Sequence, residues 1–360
     1  MRALFICWRP IQLINAINFV FNDTLSTKGH SDLIIINEFP NAQNIYNNII
    51  KSNLFAKTTL LSYKPLNHFT YKYYLLFPKQ HLFHLFGDNI DLNYNLLVAS
   101  GWHIIFNSFA HLLKKSSIVF IEDGIGTYQG DTRKLDFTNI KYRILSFFKL
   151  AYYGINVDSL YLNNINMYKV DRWTEIKEAP SLRNNSTIKV INNIFCYKYK
   201  QINFKFILLD TPKTDFRPIS NNLSRRNLIA LIATIVDNKI IIRAHPFDYN
   251  CSIALYKDLF PITPPVIDDC DNIWELTCKN SINNNHVIIS FFSSGAFYPK
   301  YLFNEEPYII FLYKFQKISH KQYCTFEEQI TILQSAYVDS NKIMTPSSLV
   351  ELKQMLLKLV

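Results

Sequence analysis

The sequence contains no apolar run of the roughly 18 to 20 residues that a membrane-spanning helix needs, and Leu228–Val236 is interrupted within a turn or two. Together with a mean hydropathy of +0.00, this argues against an integral membrane protein. No cleavable leader is expected either. The apolar opening Met1–Trp8 stops at Arg9-Pro10 with no small-residue cleavage site behind it, so it reads as the first strand of a cytoplasmic chain. The six cysteines (Cys7, Cys196, Cys251, Cys270, Cys278 and Cys324) form no Cys-x-x-Cys pair, and no histidine stands at zinc-ligand spacing. They read as small buried hydrophobes, and no metal site is visible. There is no dense basic stripe interleaved with aromatics, no nucleic-acid motif and no internal repeat, which makes nucleic acid the weakest candidate partner. Acidic residues are in short supply: 28 Asp and Glu face 38 Lys and Arg, a net charge of +10. That balance favours an anionic substrate or an anionic lipid surface.

A chain of 360 residues is too long for one ordinary core, so two domains are expected, and a hydrophobic share of 49% suffices to build them. In the first half, short β-branched runs alternate with helical patterns. Arg2–Trp8, Leu33–Ile36, Leu96–Ala99, Ile118–Ile121 and Ser159–Leu162 read as strands. Ile11–Phe21, Asn44–Leu54, His103–Leu113 and Lys141–Tyr153 read as helices. The pattern weakens between Ala179 and Asn203, where the domain junction is placed. It then restarts with strands Phe206–Leu209, Lys239–Arg243, Val287–Phe291 and Pro307–Leu312. Helices Asn221–Val236, Asn272–Cys278, Ala296–Phe303, Glu327–Tyr337 and Ser347–Leu359 are expected between and after them. The fold expected is α/β: doubly wound Rossmann-like domains over 1–190 and 200–345, facing across a cleft, with a closing helix over 346–360.

In such sheets ligands bind where loops leave the carboxyl ends of the strands. One strand runs into Glu122-Asp123-Gly124. Adjacent carboxylates repel and lose solvation near a cleft, which raises at least one of them toward general-base range; Asp-Gly is equally a common exposed turn. A second strand ends in His245-Pro246, where proline holds the histidine extended and an imidazolium could face a phosphate; a histidine packed at a turn gives the same dipeptide. A third runs into Ser293-Ser294-Gly295 ahead of a helix, an arrangement of hydroxyls and free amides suited to an anion, though one serine would serve as a plain N-cap. Glu275 lies on a short helix between the last two. Asp210 and Asp215 follow another strand end and are alternative bases.

Taken in order, Glu122-Asp123-Gly124, His245-Pro246 and Ser293-Ser294 resemble the shared motifs of bacterial sialyltransferases. The opening Cys7-Trp8-Arg9-Pro10-Ile11-Gln12-Leu13 resembles that of glycosyltransferase family 52, the lipooligosaccharide and capsule type, which commonly reads Cys-x-Thr-Pro-Leu/Phe-Gln. Arg9 stands where a small hydroxyl residue is usual. The resemblance spans the chain as short motifs. It implies a GT-B fold, with the first domain on the acceptor side and the second binding the nucleotide sugar. It implies inverting, metal-independent transfer of sialic acid from CMP-sialic acid to a terminal sugar such as galactose on a bacterial surface glycan or glycolipid, without a cofactor. On that pattern Glu122 is the general base and His245 the acid or cation at the leaving phosphate. Pro246, Ser293, Ser294 and Gly295 complete the phosphate site, and Glu275 holds the cytidine ribose. A hexosyltransferase using a UDP-sugar, a polysialyl- or capsule-elongating transferase and a degenerate glycan-binding subunit are the competing readings. The basic charge allows peripheral contact with an anionic membrane, and a homodimer is compatible with the sequence.

Overall fold

The structure is a computed structural model that describes residues 1–27, 29–63, 66–128, 157–168, 175–210, 224–237, 239–245, 266–268 and 271–360. The expected helix Lys141–Tyr153, Asp215, Pro246, Cys251 and Cys270 lie outside them. The chain divides into two compact units, Met1–Cys196 and Tyr197–Val360.

The first unit is a seven-stranded parallel sheet made of β1 (Ala3–Cys7), β2 (Ser31–Ile36), β3 (Lys57–Leu61), β4 (Leu96–Ala99), β5 (Ser117–Ile121), β6 (Ser159–Leu162) and β7 (Ile176–Glu178), ordered β3-β2-β1-β4-β5-β6-β7. β1, β2 and β4 are buried at every position, as continuous apolar runs must be when both faces of a sheet are covered. The helices are α1 (Pro10–Phe21), α2 (Ala42–Ser52), α3 (His68–Leu76), α4 (Pro78–Phe86), α5 (Ile104–Leu112), the single turn α6 (Ile125–Tyr128) and α7 (Asn185–Ile194). Strand order reverses between β1 and β4, so that gap is the switch point at which such sheets receive ligands.

The second unit holds a six-stranded parallel sheet: β8 (Phe206–Leu209), β9 (Ile240–Arg243), β10 (Val266–Asp268), β11 (Val287–Ser290), β12 (Tyr308–Phe311) and β13 (Ile343–Met344), in the order β10-β9-β8-β11-β12-β13. Its helices are α8 (Arg225–Ile235), α9 (Trp274–Asn280), α10 (Tyr298–Phe303), α11 (His320–Ala336) and α12 (Leu349–Leu359). Leu228, Ile232, Leu352 and Leu356 pack with the strands in one core cluster. The switch point here lies between β8 and β11.

Three expectations are corrected. The helix expected from Ala296 is a single 3-10 turn, Ser294–Ala296, and α10 begins only at Tyr298, because Pro299 fits the first turn of a helix and not its interior. His103 is the N-cap of α5, its ring accepting from the Ile105 amide. Of the cysteines, Cys7 and Cys278 are buried as expected, whereas Cys196 and Cys324 are exposed. Cys196 sits just past α7 in left-handed backbone (φ 50), and Cys324 lies on a solvent-facing stretch of α11. Among the described residues no helix is long and apolar enough to cross a membrane.

Candidate active site

In the first unit the acidic pair emerges at the carboxyl end of β5, where Gly124 turns the chain with φ 97. Glu122 is 1% exposed. Three donors converge on its Oε2: the Tyr128 hydroxyl at 2.5 Å, the Asn163 amide at 2.8 Å and the Asn163 Nδ2 at 2.9 Å. Asn163 is the first residue after the neighbouring strand β6, and Tyr128 ends the turn α6, so both are fixed by local backbone. The other oxygen, Oε1, is buried and has no hydrogen-bond partner. Burial pushes the carboxyl up to about 7, against the pull of the Tyr128 and Asn163 donors and with a smaller push from Asp123.

Asp123 is more open, with a fifth of its side chain exposed. Its Oδ1 accepts from Gln12 Nε2 at 2.9 Å, and its Oδ2 lies 3.4 Å from the Arg9 guanidinium. Burial raises it to about 6, opposed by the charge of Arg9 and the Gln12 hydrogen bond. Arg9 thus faces the acidic pair, at the position where the resembling family carries a small hydroxyl residue.

Sequence reasoning gave no role to the buried polar residues of α1, two of which, Gln12 and Asn15, hold this pair. Gln12, Asn15 and Asn18 are buried on α1, an otherwise apolar helix. Gln12 Oε1 accepts from the Trp8 amide at 2.7 Å, and Asn15 Nδ2 donates to the Glu122 carbonyl at 2.9 Å. Polar residues recurring every third position along an apolar helix are the signal that could have revealed them, since a buried amide must find partners. A second group stands beside the switch point. The His103 ring lies 5.2 Å from that of Trp8 and 5.3 Å from that of Tyr63, with Nε2 3.5 Å from Glu38 Oε1. Burial lowers His103 to about 4, so its imidazole is neutral near pH 7, and burial raises Glu38. Neutral aromatic rings beside carboxylates can receive the apolar and hydroxylated faces of a polar ligand.

In the second unit His245 and the serine loop lie on one sheet edge, and Glu275 lies on α9. His245 follows β9 by two residues and is partly exposed; Ser293, Ser294 and Gly295 follow β11. β8 runs between those strands, so the two ends stand about 10 Å apart at ordinary strand spacing. Asp210 directly follows β8 between them, but both its oxygens accept from Arg225, Oδ1 at 2.9 Å from Nε and Oδ2 from Nη2. A carboxylate gripped on both oxygens by a guanidinium is committed to that pair, which speaks against Asp210 as the base.

The serine loop is strained and braced. Phe292 holds φ 133, unusual for a bulky residue, while the Ser290 hydroxyl accepts from the amides of Phe292 at 3.2 Å and Ser293 at 2.7 Å. Ser293 in turn caps the 3-10 turn through the Gly295 amide. Gly295 is needed for contact: a Cβ there would come within 2.9 Å of the Trp274 ring, whose Nε1 donates to the Gly295 carbonyl at 2.7 Å. Trp274 opens α9 directly before Glu275, so this contact ties Glu275's helix to the serine loop. Arg243 lies over the Trp274 ring and pairs with Asp268. Among the described residues, no group of three His, Cys, Asp or Glu side chains could hold a metal ion.

No protein-family model matches the chain, and no curated protein matches its sequence. Solved structures match its fold. A sialyltransferase from Photobacterium damsela superposes with a TM-score of 0.54 at 11% identity, over 96% of this chain and 81% of that one. The GT-B domain of a sialyltransferase from Photobacterium damselae gives 0.53 at 10% identity, over 95% and 99%. An Arabidopsis thaliana UGT complexed with UDP gives 0.55 at 9% identity, over 99% and 90%. At such identities the likeness concerns the fold: two parallel-sheet Rossmann-like units of the GT-B class. The family 52 resemblance rests on its motifs.

Proposed function

We propose that this chain is an inverting glycosyltransferase that moves sialic acid from CMP-sialic acid to a terminal galactose of a bacterial surface glycan, with Glu122 as general base. The observation that carries the reading is the division of labour on Glu122. Three donors hold Oε2, while Oε1 is left without a partner on a carboxyl raised to about 7. A base poised near neutrality with one oxygen unengaged is suited to take a proton from an alcohol. In the reaction, the acceptor hydroxyl gives its proton to Glu122 and its oxygen bonds to the anomeric carbon. The bond from that carbon to the CMP phosphate oxygen breaks, its electron pair staying on the phosphate. His245, Ser293 and Ser294 neutralise the charge that develops there, a task for which an imidazolium and two hydroxyls suffice without a divalent ion. Glu275 holds the ribose hydroxyls, and Gly295 and Pro246 shape the phosphate loop.

The donor assignment draws on the His-Pro and Ser-Ser motifs and on the two structural neighbours whose names describe sialyltransferases. The UDP-bound plant neighbour keeps a UDP-sugar as the second donor reading. A second reading of the base is Asp123, favoured by its greater exposure, since Oε1 of Glu122 is covered. Thermal shift with CMP and with UDP separates the donors: CMP should raise the melting temperature without added metal, and EDTA should leave transfer unchanged. Stabilisation by UDP alone would replace sialyl with hexosyl transfer, and nucleotide binding without CMP release in the presence of acceptor would leave only a glycan-binding protein. Glu122→Gln and Asp123→Asn, assayed side by side for CMP release with acceptor, separate the two bases.

A further inference from the structure

The helices α3 and α4 present a surface that nothing in the first unit covers. None of the nine residues of α3 is buried, and α4 buries only His81 and Leu82. The outward side chains are large and apolar: Phe69 is 81% exposed, Leu76 54%, Phe77 43% and Phe83 55%, with the Tyr73 ring 4.9 Å from that of Phe77. Exposed aromatic and aliphatic side chains gathered on one surface mark an interaction site, because leaving them in water is unfavourable in proportion to their area.

The formal charge on α3 and α4 themselves has one sign. Lys72 and Lys79 are exposed among the aromatics, and no Asp or Glu occurs anywhere from Phe39 to Gly87. Most of the chain's net +10 also belongs to the first unit. The patch is firmly attached. His81 Nδ1 meets the Ser108 hydroxyl of α5 at 2.8 Å, and the Tyr74 ring of α3 stacks on His81 at 4.5 Å. It also begins at the edge of the sheet that carries the acidic pair. Tyr63, two residues past the carboxyl end of β3 on the way to α3, packs against His103.

We propose that α3 and α4 form an interfacial anchor that seats the first unit on an anionic lipid bilayer, with Phe69, Leu76, Phe77 and Phe83 in the headgroup boundary and Lys72 and Lys79 against anionic headgroups. Apolar side chains supply insertion and lysines supply attraction, the combination by which helices lie in a membrane surface. A second copy of the chain is the poorer occupant, since its patch would bring the same positive charge to the contact. The inference does not depend on the glycosyl-transfer reading, because vesicle binding is measured without turnover.

The test is flotation of the full chain with vesicles of phosphatidylcholine alone and of phosphatidylcholine mixed in equal parts with phosphatidylglycerol, at low and high salt. The chain is expected to float with the anionic vesicles at least about tenfold more strongly, and to lose much of that at high salt. The double variant Lys72→Glu/Lys79→Glu should weaken anionic binding by about tenfold or more, at about fivefold per lysine lost. Phe69→Ser/Phe77→Ser should weaken it by a similar factor at every salt concentration. Both pairs are exposed, so the melting temperature should hold. Equal binding to the two vesicle types, no binding, or binding by either variant at the wild-type level would overturn the anchor. A dimer in light scattering that Phe69→Ser/Phe77→Ser dissolves, with no vesicle binding, would assign the patch to a second copy instead.

Discussion

At the scale of single residues, Glu122 lowers stability in a way that follows from its burial. The folded state holds its proton more tightly than the unfolded chain, since the carboxyl is raised from 4.5 to about 7. Stability from this group is therefore greatest at low pH and falls as pH climbs from about 4.5 to about 7, levelling off above. The free-energy equivalent of that tighter hold on the proton is on the order of 3 kcal/mol. Glu122→Gln removes this penalty without losing the three donors, which a glutamine carbonyl can still accept. Its melting temperature should exceed that of the wild type at pH 8 and match it at pH 5. Transfer to acceptor should fall about 10² or more while nucleotide binding survives. In the wild type, transfer should drop about tenfold per pH unit below about pH 7; a plateau extending below about pH 6 would move the base to Asp123 or elsewhere. His245→Ala should lower kcat by about 10² to 10³ with a smaller effect on CMP binding, and a variant with near-normal kcat would remove His245 from the mechanism. Glu122 and Asp123 were legible because a strand of apolar residues stops at them. Asn163 and Tyr128, which orient Glu122, were not, because the first reaches it from an adjacent strand distant in sequence and the second only through the turn that Gly124 permits.

At the scale of elements, the serine loop shows where a motif and a packing constraint coincide. Gly295 reads in sequence as room for a phosphate, yet in the fold it is where the Trp274 ring lies against the backbone. Gly295→Ala should force the indole away, break its hydrogen bond and unseat the start of α9, costing about 1 to 3 kcal/mol. Calorimetry should show a lower melting temperature, and CMP affinity should fall with it because Glu275 follows Trp274. An unchanged melting temperature would mean that the ring gives way freely. Long apolar runs such as those of β1, β9 and β11 could be read from sequence, because a strand buried on both faces admits little else. β3 (Lys57–Leu61), half-exposed and carrying two threonines, could not, nor could α3 and α4 beyond it, whose large apolar residues stay exposed instead of facing a core. The 3-10 turn at Ser294–Ala296 was hidden for a different reason: helical composition continues through it, and only Pro299 decides where the α-helix starts.

At the scale of the whole molecule, alternation of strands and helices in two successive runs was enough to anticipate two parallel sheets, since parallel strands need crossover helices and each run returns to its own switch point. What charge does for function at this scale is separable from what the site does. With a net charge of +10 the molecule would attract the proposed anionic nucleotide sugar over distances comparable with the Debye length, about 10 Å at 0.1 M salt and about 3 Å at 1 M. The hydrogen bonds proposed from Ser293 and Ser294 would act at contact and be screened little. Raising salt from about 0.05 M to about 0.5 M should therefore raise KM for CMP-sialic acid by several-fold, on the order of three to ten, while kcat stays within about twofold. A soluble acceptor must be used, so that loss of membrane attraction does not enter the rate. A KM that does not move with salt would mean that the basic excess plays no part in donor capture and acts elsewhere on the surface. A kcat that collapses with salt would place a solvent-screened long-range charge in the transfer step itself, which the burial of Glu122 among neutral donors does not lead one to expect.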